Sequence, residues 1–434
     1  VNYTALSLTQ TPPLSVPLRF FLTAPLFLAA AALLLMVAGD ALPSGRWSPT
    51  MLALTHLVTV GFLGSCMVGA LQQLLPVLLG TPLRSPRLLA TLLHLPLTLG
   101  AAALVAGMGF ANPMLLKVGV SLLIPALLLF ILVVAHGLWR TRSRHATVAA
   151  LALGLALLGL LLLGAIALWL LRFGHWQLPL AHPYTALHIG WGAVGWIGAL
   201  LIGVAYQVVP MFQITPEYPP LMRRWLIPAI ALLLGGWSLS LGWLPGLAPL
   251  PGHLLALLLA LFAVQTLRLQ GQRRRRLADV TLDFWRLAMA ALLLALLGWS
   301  ASQWLPWPRL ELLTGALFLL GFATSAVSGM LYKIVPFLVW LHLNSRLQAQ
   351  GSWQGGVPHM KQIIPQGRLR WQFRLHLLAL ALLLLTLALP GLIPAWISGG
   401  VWLANALFLW WNLLQGVLGY RRTVTAAGAL GVAG

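Results

Sequence analysis

A chain of 434 residues that is 60% hydrophobic and only 7% charged, with a mean hydropathy of +0.93, cannot present a water-soluble surface. Its 26 Lys and Arg against 5 Asp and Glu give a formal charge of +21. The cations sit in short clusters between apolar runs, a pattern that fixes membrane orientation, so nucleic acid is set aside as a partner and the lipid bilayer takes its place. The single cysteine, Cys66, excludes an internal disulfide and any cysteine-based zinc or iron–sulfur motif, which leaves metal chemistry to histidine.

In chain order, apolar runs bounded by Pro, Gly or charge predict twelve spanning helices, over 19–39, 50–79, 88–108, 114–139, 146–171, 184–212, 225–244, 250–268, 284–305, 310–341, 372–393 and 396–419. The first run, from Arg19 past Leu35, exceeds a signal-peptide core and reads as a retained helix. Connections are short, so residues 1–434 read as a single membrane domain. Most Arg and Lys gather on one side, while Arg46, Lys117, Arg172 and Arg309 fall on the other and Lys333 lies within a span. The positive-inside rule then places both termini in the cytoplasm of a multi-pass protein of a bacterial-type inner membrane. The longest connection, 344–369, holds Gly351, Gly355, Gly356, Pro358 and Pro365 and reads as an irregular cytoplasmic loop.

An internal repeat is the most informative pattern. Within the second span, Gly61-Phe62, Gly69, Gln72-Gln73 and Pro76 recur in the sixth as Gly195-Trp196, Gly203, Tyr206-Gln207 and Pro210. They recur again in the tenth as Gly321-Phe322, Gly329, Tyr332-Lys333 and Pro336, with identical spacing. The pattern falls each time in the second helix of a group of four, which divides the chain into units 19–139, 146–268 and 284–419. Four spans per unit is an even number, so all three units run in the same direction. The expected fold is therefore all-α: twelve transmembrane helices as three parallel four-helix repeats with threefold pseudosymmetry.

The stretch from Gly69 to Pro82 places a Gly, a polar pair and a Pro before an apolar tripeptide, Gly80, a small residue and a second Pro. This resembles the end of the second helix of the heme-copper oxidase subunit I superfamily, the cytochrome oxidases and nitric oxide reductases. That superfamily also has three units of four helices and a His near the outer end of the same helix, where this chain has His56. In length and helix count the chain is also similar to the NnrS proteins, membrane proteins linked to nitric oxide stress and described as binding heme and copper. The resemblance implies a heme protein on the subunit I scaffold. It does not reach the copper centre: the His-Pro-Glu-Val-Tyr type motif is reduced to His182-Pro183-Tyr184, and no His-His pair occurs anywhere. Copper is not expected.

Of the eleven histidines, His56 and His188 stand apart. Counted back from the repeat proline they lie 20 and 22 residues away, so their depths differ by about 3 Å and their directions by about 200°. A cofactor wedged between two equivalent helices must be approached from opposite sides, which is the sense of that rotation. In the superfamily the tenth helix carries a His-x-His pair at these two offsets, serving hemes on either side. Carried over by position, this implies that His56 looks toward the second unit and His188 looks back. Thr314 and Ala316 hold the corresponding positions of the third unit and cannot ligate iron as imidazole does. The expectation is one heme b with His56 and His188 as neutral axial ligands, an arrangement that favours electron transfer over oxygen binding. Trp191 and Trp196 are candidates to pack on the porphyrin, and Arg46, Arg172 and Arg309 are the outer cations available to its propionates. A second metal at His182 with His253 or His175 is the lesser alternative.

Other intramembrane polar residues read as structural. Lys333 is placed to snorkel, with a proton-path or quinone-head role as the alternative; Glu311 can pair with Arg309; Gln72, Gln73, Tyr206 and Gln207 sit beside the repeat prolines, where freed carbonyls need donors. Five acidic residues cannot build a chain of carboxylates across a bilayer, which disfavours proton pumping. The functional expectation is a membrane cytochrome that is not a complete oxidase. It would pass electrons between quinol and an outer-side cytochrome, act beside other respiratory subunits, or respond to nitric oxide. The alternatives are a membrane transporter, a copper- or heme-handling protein, and a cofactor-free assembly subunit.

Overall fold

The computed structural model describes residues 10–39, 45–80, 82–141, 146–173, 181–274, 278–350 and 359–432. Among them twelve helices are long and apolar enough to cross a membrane: α1 (Ser15–Ala38), α2 (Pro49–Val77), α3 (Pro86–Gly109), α4 (Pro113–Arg140), α5 (Ala146–Leu171), α6 (Tyr184–Gln213), α7 (Pro220–Trp243), α8 (Pro245–Gly271), α9 (Val280–Ser302), α10 (Pro308–Gln348), α11 (Gln366–Ala388) and α12 (Ala395–Thr425). The chain is thus an all-helical, multi-pass membrane protein, in contact with lipid along its length. Leu33, Leu132, Leu232 and Leu297 on four of these helices turn outward, as a bilayer-facing surface requires.

Local chemistry explains where the helices begin. Several open on a proline, whose missing N–H is one of the unpaired first-turn donors in any case. Ser48 and Asn112 cap α2 and α4 by accepting hydrogen bonds from the backbone N–H groups of Met51 and of Met114 and Leu115. The connection expected over 344–369 is shorter and more ordered at its ends than its composition implies. Helix α10 continues through Gln348, a short helical turn forms at Met360–Ile363, and residues 351–358 lie outside the described part.

The glycines of the sequence repeat seat α2, α6 and α10 each on the helix before it. A Cβ on Gly61 would meet Phe27 of α1 at 2.5 Å, and one on Gly69 would meet Phe20 at 2.6 Å. In the second unit the same two glycines, Gly195 and Gly203, lie against Leu157 and Ala150 of α5; in the third, Gly321 and Gly329 lie against Ala291 and Phe284 of α9. The partner residues are seven apart on each facing helix, two helical turns, so one contact geometry is written at three places.

A second feature recurs in the same register. Leu57–Gly64, Trp191–Gly198 and Leu317–Thr324 are each wound as π-helix, eight residues long, with the Gly-aromatic pair at the fifth and sixth positions. A π turn widens the helix and leaves carbonyls less tightly paired, and such turns concentrate at functional sites. Here they fall just below His56, His188 and Thr314.

The glycine contacts carry a stability prediction. Gly69→Val drives a branched side chain into Phe20 and should cost about 1–3 kcal/mol, whereas Gly235→Val on α7, where nothing lies within 4 Å, should change stability by less than about 1 kcal/mol. Thermal unfolding of the two variants in the same detergent measures the difference; equal losses would contradict the packing described.

Candidate cofactor site

The starts of α2, α6 and α10 do not close on one another. Between them lies a cavity of ≈ 1170 Å³ to whose wall every one of the twelve spans contributes. Leu, Val, Ala and Trp dominate the lining, and among the described residues Arg46 and Glu311 are its only formally charged side chains. Volume and polarity suit a large, flat, mostly apolar occupant.

His56 and His188 project into this cavity and face each other, with ring centroids 6.4 Å apart and ring planes 28° from parallel. Nδ1 of His56 donates to the Leu52 carbonyl one helical turn back, at 2.8 Å, which leaves Nε2 as the free electron pair. No hydrogen bond engages Nε2 of either ring among the described residues. Nδ1 of His188 is buried and also lacks a partner of hydrogen-bond geometry, although the Leu161 carbonyl of α5 interacts with the ring.

The separation can be tested against a shared metal. Two metal–imidazole bonds of about 2.05 Å and two ring radii of about 1.1 Å, from a five-membered ring of ~1.33 Å bonds, sum to about 6.3 Å. The observed 6.4 Å matches this distance. It is too long for the two rings to hydrogen-bond each other directly through a nitrogen pair at ~2.9 Å, which would bring the centroids to roughly 5.1 Å. The third face of the cavity, from α10, presents Thr314, Gly315 and Ala316, which offer no imidazole.

The remaining site candidates divide. Trp196 lines the cavity and meets Phe130 of α4 edge-on at 6.1 Å. Trp191 does not line it: its indole N–H donates to Ser238 on α7 at 3.0 Å, and that bond turns the ring toward the α5–α7 side. Arg46 lines the cavity, stacks over Trp47 at 4.6 Å and pairs with Glu311 at 3.3 Å. Glu311 is therefore bound to Arg46 and not, as the sequence suggested, to Arg309. Arg309 instead donates to the Ala388 carbonyl at 3.4 Å and stays off the cavity wall, because α10 opens beside the end of α11. The side chains of Arg172 and His182, and the whole of His175, lie outside the described residues. His253 is off the cavity, with Nδ1 on the Pro249 carbonyl at 2.7 Å and its ring against Trp299. Among the described residues no group of three His, Cys, Asp or Glu converges on one point.

Sequence reasoning did not single out the walls supplied by Trp169, Trp237, Trp299 and Trp402, whose directions depend on neighbouring helices. It also passed over the environment of His376. That ring is fully buried between α10, α11 and α12, accepts from Asn405 at Nδ1 (3.3 Å) and donates from Nε2 to Ser325 (2.8 Å), while Gln372 donates to Asn405. Trp402 packs edge-on against it at 5.3 Å and carries the contact to the cavity wall. With both ring nitrogens engaged, His376 is interhelical glue.

Lys333 neither snorkels nor stands free. Its ammonium donates to Asp279 Oδ2 at 2.8 Å, and Asp279 also caps α9 by accepting from the Thr281 N–H and hydroxyl. Burial opposes ionisation of the Asp279 carboxyl, but Lys333 and Thr281 together outweigh it and hold its pKa below the ordinary value. A depressed carboxylate pKa stabilises the fold above the unfolded value of about 3.9 and loses that contribution as pH falls through the folded value. Asp279→Asn should therefore cost about 1–3 kcal/mol near neutrality, with the gap to the wild type closing below about pH 4. Thermal unfolding across pH measures this, and a gap that stays constant with pH would contradict it.

No protein-family model matches the chain, and no curated protein is similar to it at a significant level.

Proposed function

We propose that this chain is a membrane cytochrome of the heme-copper oxidase subunit I type, holding one bis-histidine heme b between α2 and α6. The observation that carries the reading is the pair of imidazoles 6.4 Å apart, opposed across an apolar cavity of ≈ 1170 Å³. A bare ion bridged by two histidines would need no such volume, whereas a porphyrin does. Charged solutes are disfavoured by a wall whose described charges are one compensated ion pair and whose other side chains are neutral and mostly apolar.

Bound there, the heme would supply a one-electron couple with both axial positions filled. His56 and His188 would hold the iron through Nε2, and the Leu52 carbonyl fixes the tautomer of His56. Trp196 and the surrounding Leu and Val side chains exclude water from the site. Arg46 is the described cation on the wall and the candidate partner for a propionate, with Glu311 as its present counter-ion.

The three π-helical stretches and the three pairs of glycine contacts in one register support threefold pseudosymmetry, which in turn makes α2–α6 and not a third helix the natural cleft for the histidines. The bias of Arg and Lys supports cytoplasmic termini in a bacterial-type inner membrane, and this orientation puts the heme near the outer leaflet. Electron exchange there with quinol or an outer-side cytochrome, in the company of respiratory subunits, or a role linked to nitric oxide, fits that placement.

Reduced-minus-oxidised difference spectra of protein purified from heme-replete cells test the reading. A low-spin α band is expected in the wild type and its loss in both His56→Ala and His188→Ala, with the helical content of each variant unchanged by circular dichroism. Colourless wild-type protein, or an α band that survives both substitutions, would overturn it.

A further inference from the structure

The two imidazoles are not equivalent, and the difference lies in what holds each from behind. Metal-bound histidine usually donates its second ring N–H to an acceptor, which orients the ring and strengthens it as a ligand; losing that acceptor costs about 10–100-fold in metal affinity. His56 has the acceptor, the Leu52 carbonyl at 2.8 Å on its own helix. His188 does not: its Nδ1 is buried with no partner of hydrogen-bond geometry, the Leu161 carbonyl of α5 lying near the ring without meeting that geometry. Directly behind His188 stands Gly164, a residue with no side chain to offer. A Cβ built there would lie 4.0 Å from Nδ1 of His188 and 3.4 Å from Trp191, ordinary contact distances.

We propose that His188 is the exchangeable member of the pair: a small neutral diatomic ligand takes its coordination position while His56 remains bound. The inference rests on the heme reading above. The ligand class follows from the cavity, where the only charges among the described residues are the Arg46–Glu311 pair, so an anion entering at the histidines would lose its hydration without gaining a counter-charge from them. In the exchange the bond from iron to Nε2 of His188 breaks and one bond from iron to the incoming ligand forms. His188 leaves as a neutral ring that keeps its Nδ1 proton, and no electron changes hands.

Carbon monoxide binding to the ferrous protein, followed by rapid mixing, tests this. In the wild type the rate should saturate with carbon monoxide concentration, because departure of a histidine limits it. His188→Ala should keep its heme and bind without saturation, while His56→Ala, left with the poorly anchored ring, should retain less heme. The sharper test adds the missing acceptor. Gly164→Ser places a hydroxyl behind Nδ1 and should lower the saturating rate about 2- to 10-fold, the effect of one net hydrogen bond, while Gly164→Ala, which adds the carbon without the oxygen, should not. A bis-histidine spectrum with the same saturating rate in Gly164→Ser and Gly164→Ala, or heme kept by His56→Ala and lost by His188→Ala, would overturn the inference and leave the heme reading standing. Protein with no Soret band would overturn both.

Discussion

Two imidazoles on separate helices, neither with a hydrogen bond at Nε2 among the described residues, face one another across a mostly apolar cavity at a distance too long for a hydrogen bond and compatible with a shared metal. Inside a bilayer-spanning bundle an unsatisfied polar atom is costly, and Nδ1 of His188 is one such buried atom. The arrangement makes physical sense if something electrophilic sits between them. Every other feature of the site is subordinate to that geometry, including the apolar walls, the single compensated charge pair and the non-ligating third face.

The frame that brings the rings together is built from residues with little chemistry of their own. Paired glycines let α2, α6 and α10 rest directly against α1, α5 and α9, which fixes their rotation as well as their distance. The π-helical stretches then widen α2, α6 and α10 immediately below the level of the histidines. At that level the three helices part, and the space they leave becomes the cavity. At the opposite end of the bundle polar residues serve cohesion: Lys333 with Asp279, His376 with Ser325 and Asn405, Tyr332 with Asn412. The last four helices, α9 to α12, are bound together by these contacts, while the proposed site lies between the first two units.

Much of this was legible in the amino-acid order because hydropathy and the repeat are strong, local signals. All twelve spans coincide with the apolar runs, and the largest boundary differences are in the last three, where polar residues such as Asn344 to Gln348 of α10, Gln366 to Trp371 of α11 and Tyr420 to Thr425 of α12 extend the helix beyond the apolar stretch. Helical geometry and the two-residue difference in offset gave His56 and His188 different directions, and the resemblance to subunit I supplied which way each ring looks. What sequence left unread depends on partners far along the chain. Trp191 was a fair candidate from its position one turn from His188, but Ser238 on α7 claims its indole N–H. Glu311 has an arginine two residues away in Arg309, yet bundle closure brings it Arg46 from the start of α2. Lys333 occupies the place of Gln73 and Gln207 in the repeat, and only the tertiary structure reveals that Asp279, the cap of α9, is its counter-ion.

The heme proposal stands on the opposed rings of His56 and His188 across the cavity. Electron paramagnetic resonance of the oxidised, purified protein tests that claim most directly. Imidazoles whose planes lie 28° apart should hold ferric iron low-spin with a rhombic signal, integrating to one centre per chain. A high-spin axial signal, or protein from heme-replete cells with no heme iron signal, would contradict the account.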